Sequence, residues 1–384
     1  MLDNLLNRLS RVTSRGNYIG EIDGLRFFAI AVVVLLHIAV HLRRLFPEKF
    51  SGSEIDTALA WLFFRGGLGV DVFFAISGFI LALPFINELV HEGRKVILKD
   101  YYIRRVTRLE PPYIISLILL FGLQVAAGRL SFGEHLPNFF ASFFYIHNIV
   151  YDAWSVINPV AWSLEIEVQF YLLAPFLFRW LFSIKSPTTR RGTIVFIVLS
   201  LIAVNFIFKD LIEDLHLRKS IIVELHLFLI GVLFADLYLS KRESFSGRTY
   251  WNDLLGIVGI ALVYALKDTR NYVLESIYAF SILLIFLGAF KGRGLNRFFT
   301  LKPVTVIGGM CYSLYLWHYA IIAVLMTYTS YFFWSNSFVL NFGIQALLLI
   351  PPVLICSAMY FYWIEKPCMR PNWFHELKSR LIRT

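Results

Sequence analysis

Two residues are foreign to the apolar run LRFFAIAVVVLLH that carries them, Arg26 near one end and His37 at the other. They lie eleven residues apart, which on an α-helix is close to three whole turns and about 16 Å of rise. Both side chains therefore share one face. An ionisable residue inside a membrane span costs roughly 2.5–3.5 kcal/mol on insertion scales, so that face must look into protein rather than lipid. A neutral imidazole can take a proton near pH 7, and a neighbouring carboxylate would fix its tautomer and stabilise the imidazolium. His37 is thus a candidate general base. Asp71, in GGLGVDVFFAISGFI, and Glu167, in WSLEIEVQFYLLAPF, are the candidate carboxylates. His37 and His41, four apart, have a spacing open to a metal ion, but no further ligands cluster with them, and no metal is expected.

A basic run, KDYYIRRVTRLEPPY, places Arg104, Arg105 and Arg108 just before an apolar stretch. Two readings stay open. Such charges set membrane topology and touch anionic lipid. Guanidinium forks also suit phosphate oxygens, and with Arg26 they would form a clamp for a phosphorylated ligand. The clamp and His37 are separated by about half a span, so such a ligand needs a long arm.

These residues need a scaffold that holds them in a bilayer. Of the 384 residues, 58% are hydrophobic and 16% charged, against roughly 25% charged in soluble domains. Apolar stretches near 20 residues recur along the chain and are continuous rather than alternating, so the expected fold is an all-α polytopic helical bundle. Ten spans are read: 22–42, 67–90, 110–127, 160–183, 193–209, 219–240, 252–267, 273–290, 304–329 and 339–363. The aromatic stretch 136–154 is ambiguous. With ten spans and a cytosolic N-terminus, 24 Lys and Arg fall inside and 7 outside. Counting 136–154 as an eleventh span leaves 11 inside and 20 outside, which the positive-inside rule rejects. Both termini are expected in the cytosol, with 1–21 an N-terminal segment, 22–363 the membrane domain and 364–384 a basic tail. The start of the chain, LDNLLNRLSRV, reads as a short amphipathic helix on the cytosolic leaflet. The formal net charge of +10 fits membrane orientation, not nucleic-acid binding. Three cysteines show no metal spacing and no disulfide is expected.

Helical rise sets His37 roughly 20 Å above the cytosolic face, with Asp71, Glu165, Glu167 and His318 within a few ångströms of that height and Glu224 and His226 slightly further out. This reads as the floor of a single polar cavity. Walker, GxSxG and dinucleotide motifs are absent.

The segments EIDGLRFFAIAVVVLLH, GGLGVDVFFAISGFIL, RRVTRLEPPY, WSLEIEVQFYLLAPF, YSLYLWHYAII and WIEKP, in that order over nearly the whole chain, resemble the membrane-bound acyltransferase 3 family. The resemblance implies transfer of an acyl group, usually acetyl, from cytosolic acyl-coenzyme A to a hydroxyl of an extracytoplasmic or lipid-linked carbohydrate. O-antigen of lipopolysaccharide, exopolysaccharide, peptidoglycan and small glycosides all remain open as acceptor. It implies His37 as the catalytic histidine, with Arg26, Arg105 and Arg108 binding the donor. Asp71 or Glu167 would orient His37, and Ser77, Trp162 and His318 would line the acceptor cavity. Direct transfer and a covalent acyl-histidine both remain open. Many relatives add a hydrolase-like domain outside the membrane; here an extracytoplasmic partner protein is the expected counterpart. The alternative reading is a transporter or flippase for an anionic or glycan substrate, for which internal repeat symmetry is the expected mark.

Overall fold

The computed structural model describes residues 2–12, 18–45, 54–214, 217–240, 247–269, 271–333, 337–370 and 373. The described residues form helices with no strand; an isolated bridge joins Thr249 to Gly292. In chain order the helices are α1 (Leu2–Leu9), α2 (Gly20–Leu45), α3 (Glu54–Phe64), α4 (Leu68–Leu89), α5 (Leu98–Ala126), α6 (Phe132–Phe143), α7 (His147–Tyr151), α8 (Trp162–Ser183), α9 (Pro187–Ile207), α10 (Lys209–Asp214), α11 (Ile221–Ser240), α12 (Tyr250–Leu266), α13 (Tyr272–Lys291), α14 (Gly294–Phe299), α15 (Lys302–Gly309), α16 (Cys311–Thr329), α17 (Phe338–Tyr360) and α18 (Lys366–Cys368). Among them nine helical segments are long and apolar enough to cross a membrane, and the shorter apolar α12 is a tenth. The protein is a multi-pass membrane protein, and each of the ten expected spans overlaps one of these helices.

One detail agrees with the expected elements and two differ from them. The stretch 136–154 falls on α6 and α7; α6, with 12 residues, rises about 18 Å, too little for a core of about 30 Å. The span expected at 304–329 is two helices, α15 and α16, separated at Met310. The basic run is no loop. It forms the first turns of α5, which begins at Leu98 and continues through Pro111 and Pro112.

A proline inside a helix removes an N–H and orphans the carbonyl four residues earlier. Membrane helices tolerate this where neighbours supply replacement donors. Pro111 frees the Thr107 carbonyl, which accepts from Trp373 Nε1 at 3.0 Å. Nearby, Tyr312 Oη donates to the Leu109 carbonyl at 3.0 Å, and Tyr360 Oη donates to the Pro112 carbonyl at 2.5 Å. The arginines of α5 are thereby fixed on a rigid rod.

The core is packed around α4 and α11, which make one of the most extensive helix contacts in the chain. Their backbones touch. A Cβ placed on Gly78 would sit 1.9 Å from the Phe228 carbonyl oxygen, and one on Gly231 would sit 1.8 Å from that of Ala75. Phe74, Phe228 and Phe170 stack beside this crossing, with centroids 4.7 and 4.0 Å apart. At one end of α11, Asp236 accepts from Arg190 Nε at 2.8 Å and Arg191 Nε at 2.6 Å, tying α9 to α11. A second apolar cluster joins α2 to α16 and α17.

The crossing yields a test. Gly78→Val or Gly231→Val forces two backbones apart and should destabilise the protein by about 1–3 kcal/mol or more. Gly343→Val, where a Cβ would meet nothing within 4 Å, should leave the thermal midpoint of the detergent-solubilised protein unchanged.

Candidate active site

A cavity of about 930 Å³, counting its open mouth, lies between α2, α4, α5, α8 and the α15–α16 break. Its wall brings together five of the residues singled out in the sequence: Arg26, Ser77, Arg105, Arg108 and Glu167. Ser77 Oγ donates to Glu167 Oε1 at 2.5 Å. The Arg105 guanidinium lies over the rings of Tyr101 and Tyr171, at 5.7 and 5.8 Å. Its Nε is buried without a hydrogen-bond partner among the described residues.

Asp23 organises the mouth. One of its oxygens, Oδ1, accepts from Arg26 at 2.6 Å and from Arg11 at 3.0 Å. Asp23 is held against α15, where a Cβ on Gly308 would sit 1.7 Å from the Asp23 carbonyl oxygen. Burial pushes the Arg11 guanidinium below its usual pKa, with Arg26 adding repulsion, while Asp23 opposes both. On the far wall Glu365 accepts from the Ser313 amide at 3.0 Å and its hydroxyl at 2.5 Å. Four guanidiniums thus gather around three carboxylates, Asp23, Glu167 and Glu365. The surplus is positive and favours an anion.

His37 belongs to a different cluster. Its ring faces α16, where His318 Nε2 lies 3.1 Å from His37 Nδ1. His318 Nδ1 is 2.8 Å from the Leu314 carbonyl and 3.0 Å from that of Tyr315, so the neutral ring carries its proton there and Nε2 accepts. His37 Nδ1, also 2.9 Å from the Val33 carbonyl, is then the protonated nitrogen. That leaves the His37 Nε2 lone pair free for chemistry. Tyr319 packs edge-on against both His37 and His41, with centroids 5.2 and 4.7 Å away.

The expected carboxylate partners are therefore not at His37. Glu167 lies with the arginines, and Asp71 accepts from Lys267 Nζ at 2.6 Å and from the Tyr278 hydroxyl, in a second cavity with Glu224 and His226. The polar level expected as one floor is divided between two cavities and the histidine pair, because matched height says nothing of position around the bundle. Glu165 joins neither cavity; it accepts from the Asn148 amide at 3.0 Å. His318 and Trp162 do not line the arginine cavity. His318 orients His37, and Trp162 packs edge-on between Trp154 and Phe74 with Lys219 Nζ 4.0 Å from its ring. On α16 the cavity wall ends at Tyr315, one turn before His318. The Tyr315 hydroxyl is held by Ser163 and by the Val160 carbonyl.

Sequence reasoning passed over Arg11, Tyr315, Glu365 and Lys267. Lys267 and Glu365 were visible as charges at the ends of apolar runs. Arg11 was not, since the amphipathic pattern around it is also that of a surface helix.

Comparison with known proteins agrees with this architecture. Residues 19–362 match the family model described as an acyltransferase domain, and the chain belongs to the membrane-bound acyltransferase 3 family. It is similar to the O-acetyltransferase OatA of Staphylococcus aureus strain MRSA252, at 28% identity over 96% of this chain and 60% of the relative. The OatA of strain NCTC 8325 / PS 47 is also 28% identical, over 81% of this chain and 52% of its own length. The chain thus spans little more than half of each relative. No solved structure matches it.

Asp23 sets the prediction here. Asp23→Ala leaves two guanidiniums without their shared counter-ion and should cost about 3–5 kcal/mol, read as a lowered thermal midpoint. Asp23→Asn, which keeps one acceptor, should fall between.

Proposed function

We propose that the protein is a membrane O-acyltransferase that moves an acyl group, acetyl in the simplest case, from acyl-coenzyme A to a carbohydrate hydroxyl. The observation that carries this reading is the cavity that presents Arg26 of α2 and Arg105 and Arg108 of α5 to an anion, two of whose walls, α2 and α16, also hold His37 against His318. The donor's phosphates would pair with the guanidiniums, and its pantetheine arm would run along α2 past Tyr315 towards His37. With more positive charge expected at the Arg26 end, that end faces the cytosol, where the donor would enter.

In the transfer, His37 Nε2 takes the proton of the acceptor hydroxyl as its oxygen attacks the thioester carbonyl. The carbon–sulfur bond breaks, the thiolate leaves, and the proton on His37 returns to it. His318 serves this step as a positioning residue. By accepting from His37 Nδ1 it keeps the proton off Nε2, a role often given to a carboxylate. An imidazole supplies no counter-charge to the imidazolium, so the developing charge at His37 must be short-lived or compensated by the thiolate. The names of the OatA relatives support acetyl as the group, and the aromatic faces of α6 and α7 suit sugar rings.

Acyl transfer by protein purified into nanodiscs, with labelled acetyl-coenzyme A and a glycan acceptor, tests the reading. His37→Ala should abolish transfer with donor affinity retained; a variant of normal activity removes the proposal. His318→Phe should lower kcat by about 10²–10⁴-fold, as for loss of a group that sets a general base, with KM for the donor little changed. Arg105→Ala and Arg108→Ala should each weaken coenzyme A binding by about tenfold or more, whereas unchanged affinity assigns them to topology.

A further inference from the structure

The second cavity, about 1220 Å³ with its open mouth, meets α4 at Asp71 in its first turn, six residues before Ser77. The end of α9, the start of α11, the residues after α12 and the start of α13 enclose it. Asp71 is already satisfied there by Lys267 and Tyr278. The groups that remain are acceptors. His226 Nδ1 sits 2.8 Å from the Val223 carbonyl, so it carries the proton and Nε2 holds a lone pair. His226 is 4% exposed, and its Nε2 has no hydrogen-bond partner among the described residues. The nearest carboxylate oxygen, Glu275 Oε1, is 3.9 Å away, beyond hydrogen-bond reach. Asn205 repeats the pattern: its Nδ2 donates to the same carbonyl at 2.9 Å, and its buried Oδ1 is unpaired. The side chains of Glu224 and Glu275 complete the set, since neither accepts a hydrogen bond from a described residue.

Buried polar atoms are normally hydrogen-bonded, and an orphan asks for a missing partner. Two buried orphan acceptors, His226 Nε2 and Asn205 Oδ1, beside two half-buried carboxylates that accept from no described residue, ask for a partner that donates several hydrogen bonds. Charge narrows the choice. The cavity wall holds Asp71, Glu224, Asp268 and Glu275 against Lys209 and Lys267, and Lys267 is committed to Asp71. A neutral polyol would satisfy the acceptors but bring no positive charge to Glu224 and Glu275. No group of three His, Cys, Asp or Glu among the described residues has the geometry to hold a metal ion. A primary ammonium, with three donors and one positive charge, answers both demands. The Tyr272 and Phe206 rings in the same wall offer faces to the body that carries it.

We propose that this cavity binds a primary ammonium on a small polar molecule of the amino-sugar class, the ammonium held by Glu224, Glu275 and His226 Nε2 and a ring hydroxyl held by Asn205 Oδ1. The site is distinct from the arginine cavity and stands whether or not the acyl-transfer reading does.

Glucosamine is the probe, with glucose and N-acetylglucosamine as ring-matched controls that lack the charge. Calorimetry on the full-length protein in nanodiscs should show saturable glucosamine binding and at least tenfold weaker binding of both controls. Glu224→Gln with Glu275→Gln should abolish it, and Glu275→Gln alone should weaken it about tenfold. His226→Phe should weaken it without removing it. Absence of glucosamine binding, equal binding of the uncharged sugars, or undiminished binding by the double variant would each overturn the site. If the double variant loses its cooperative thermal transition, the single Glu275→Gln comparison decides.

Discussion

Within the bilayer, a charge survives only beside another charge or a donor. That constraint organises the molecule more than any apolar contact does. Three buried aspartates carry it: Asp23 holds Arg11 and Arg26, Asp71 holds Lys267, and Asp236 holds Arg190 and Arg191. Asp71 and Asp236 tie elements distant in sequence, Asp23 ties the N-terminal segment to α2, and each group would be costly to break because the survivor would be left buried and unpaired. What the pairs leave over defines chemistry. On one side the remainder is guanidinium; on the other it is carboxylate and imidazole lone pair.

Rigid helix packing gives those remainders their places. The glycine contact of α4 with α11 lets Ser77 and Asp71, on one helix, serve different cavities. The break at Met310 allows α15 to lie on Asp23 while α16 runs beside α2 and brings His318 to His37. The histidine pair also explains how a general base can be set without an acid beside it. The Leu314 and Tyr315 carbonyls fix the His318 tautomer, and His318 in turn fixes that of His37.

Much of this was legible in the residues. Apolar length and positive-charge bias located the ten spans and excluded 136–154, because both follow from transfer energetics that act locally. The eleven-residue register of Arg26 and His37 marked two positions of α2, one at the arginine cavity and one in the histidine pair. What escaped was angular. Helical rise gives depth but not rotation or neighbour, so Asp71, Glu165, Glu167 and His318 shared a height and were read as one floor. The partner of His37 was read as a carboxylate, since its identity depends on which face of α16 meets α2. The helical start of α5 was hidden by its charge, and that Trp373 supplies the donor Pro111 lacks depends on a contact between segments far apart in sequence.

The ion pair of Arg11 with Asp23 has a practical side. Arg11 precedes the matched region, 19–362, yet its guanidinium shares one oxygen atom with Arg26 at the cavity mouth. Lys302 and Lys366 anchor the same leader by bonding Asn7 and the Arg8 carbonyl. An affinity tag spliced onto the first residues, or a start codon reassigned a few positions downstream, would therefore edit the electrostatics of the mouth.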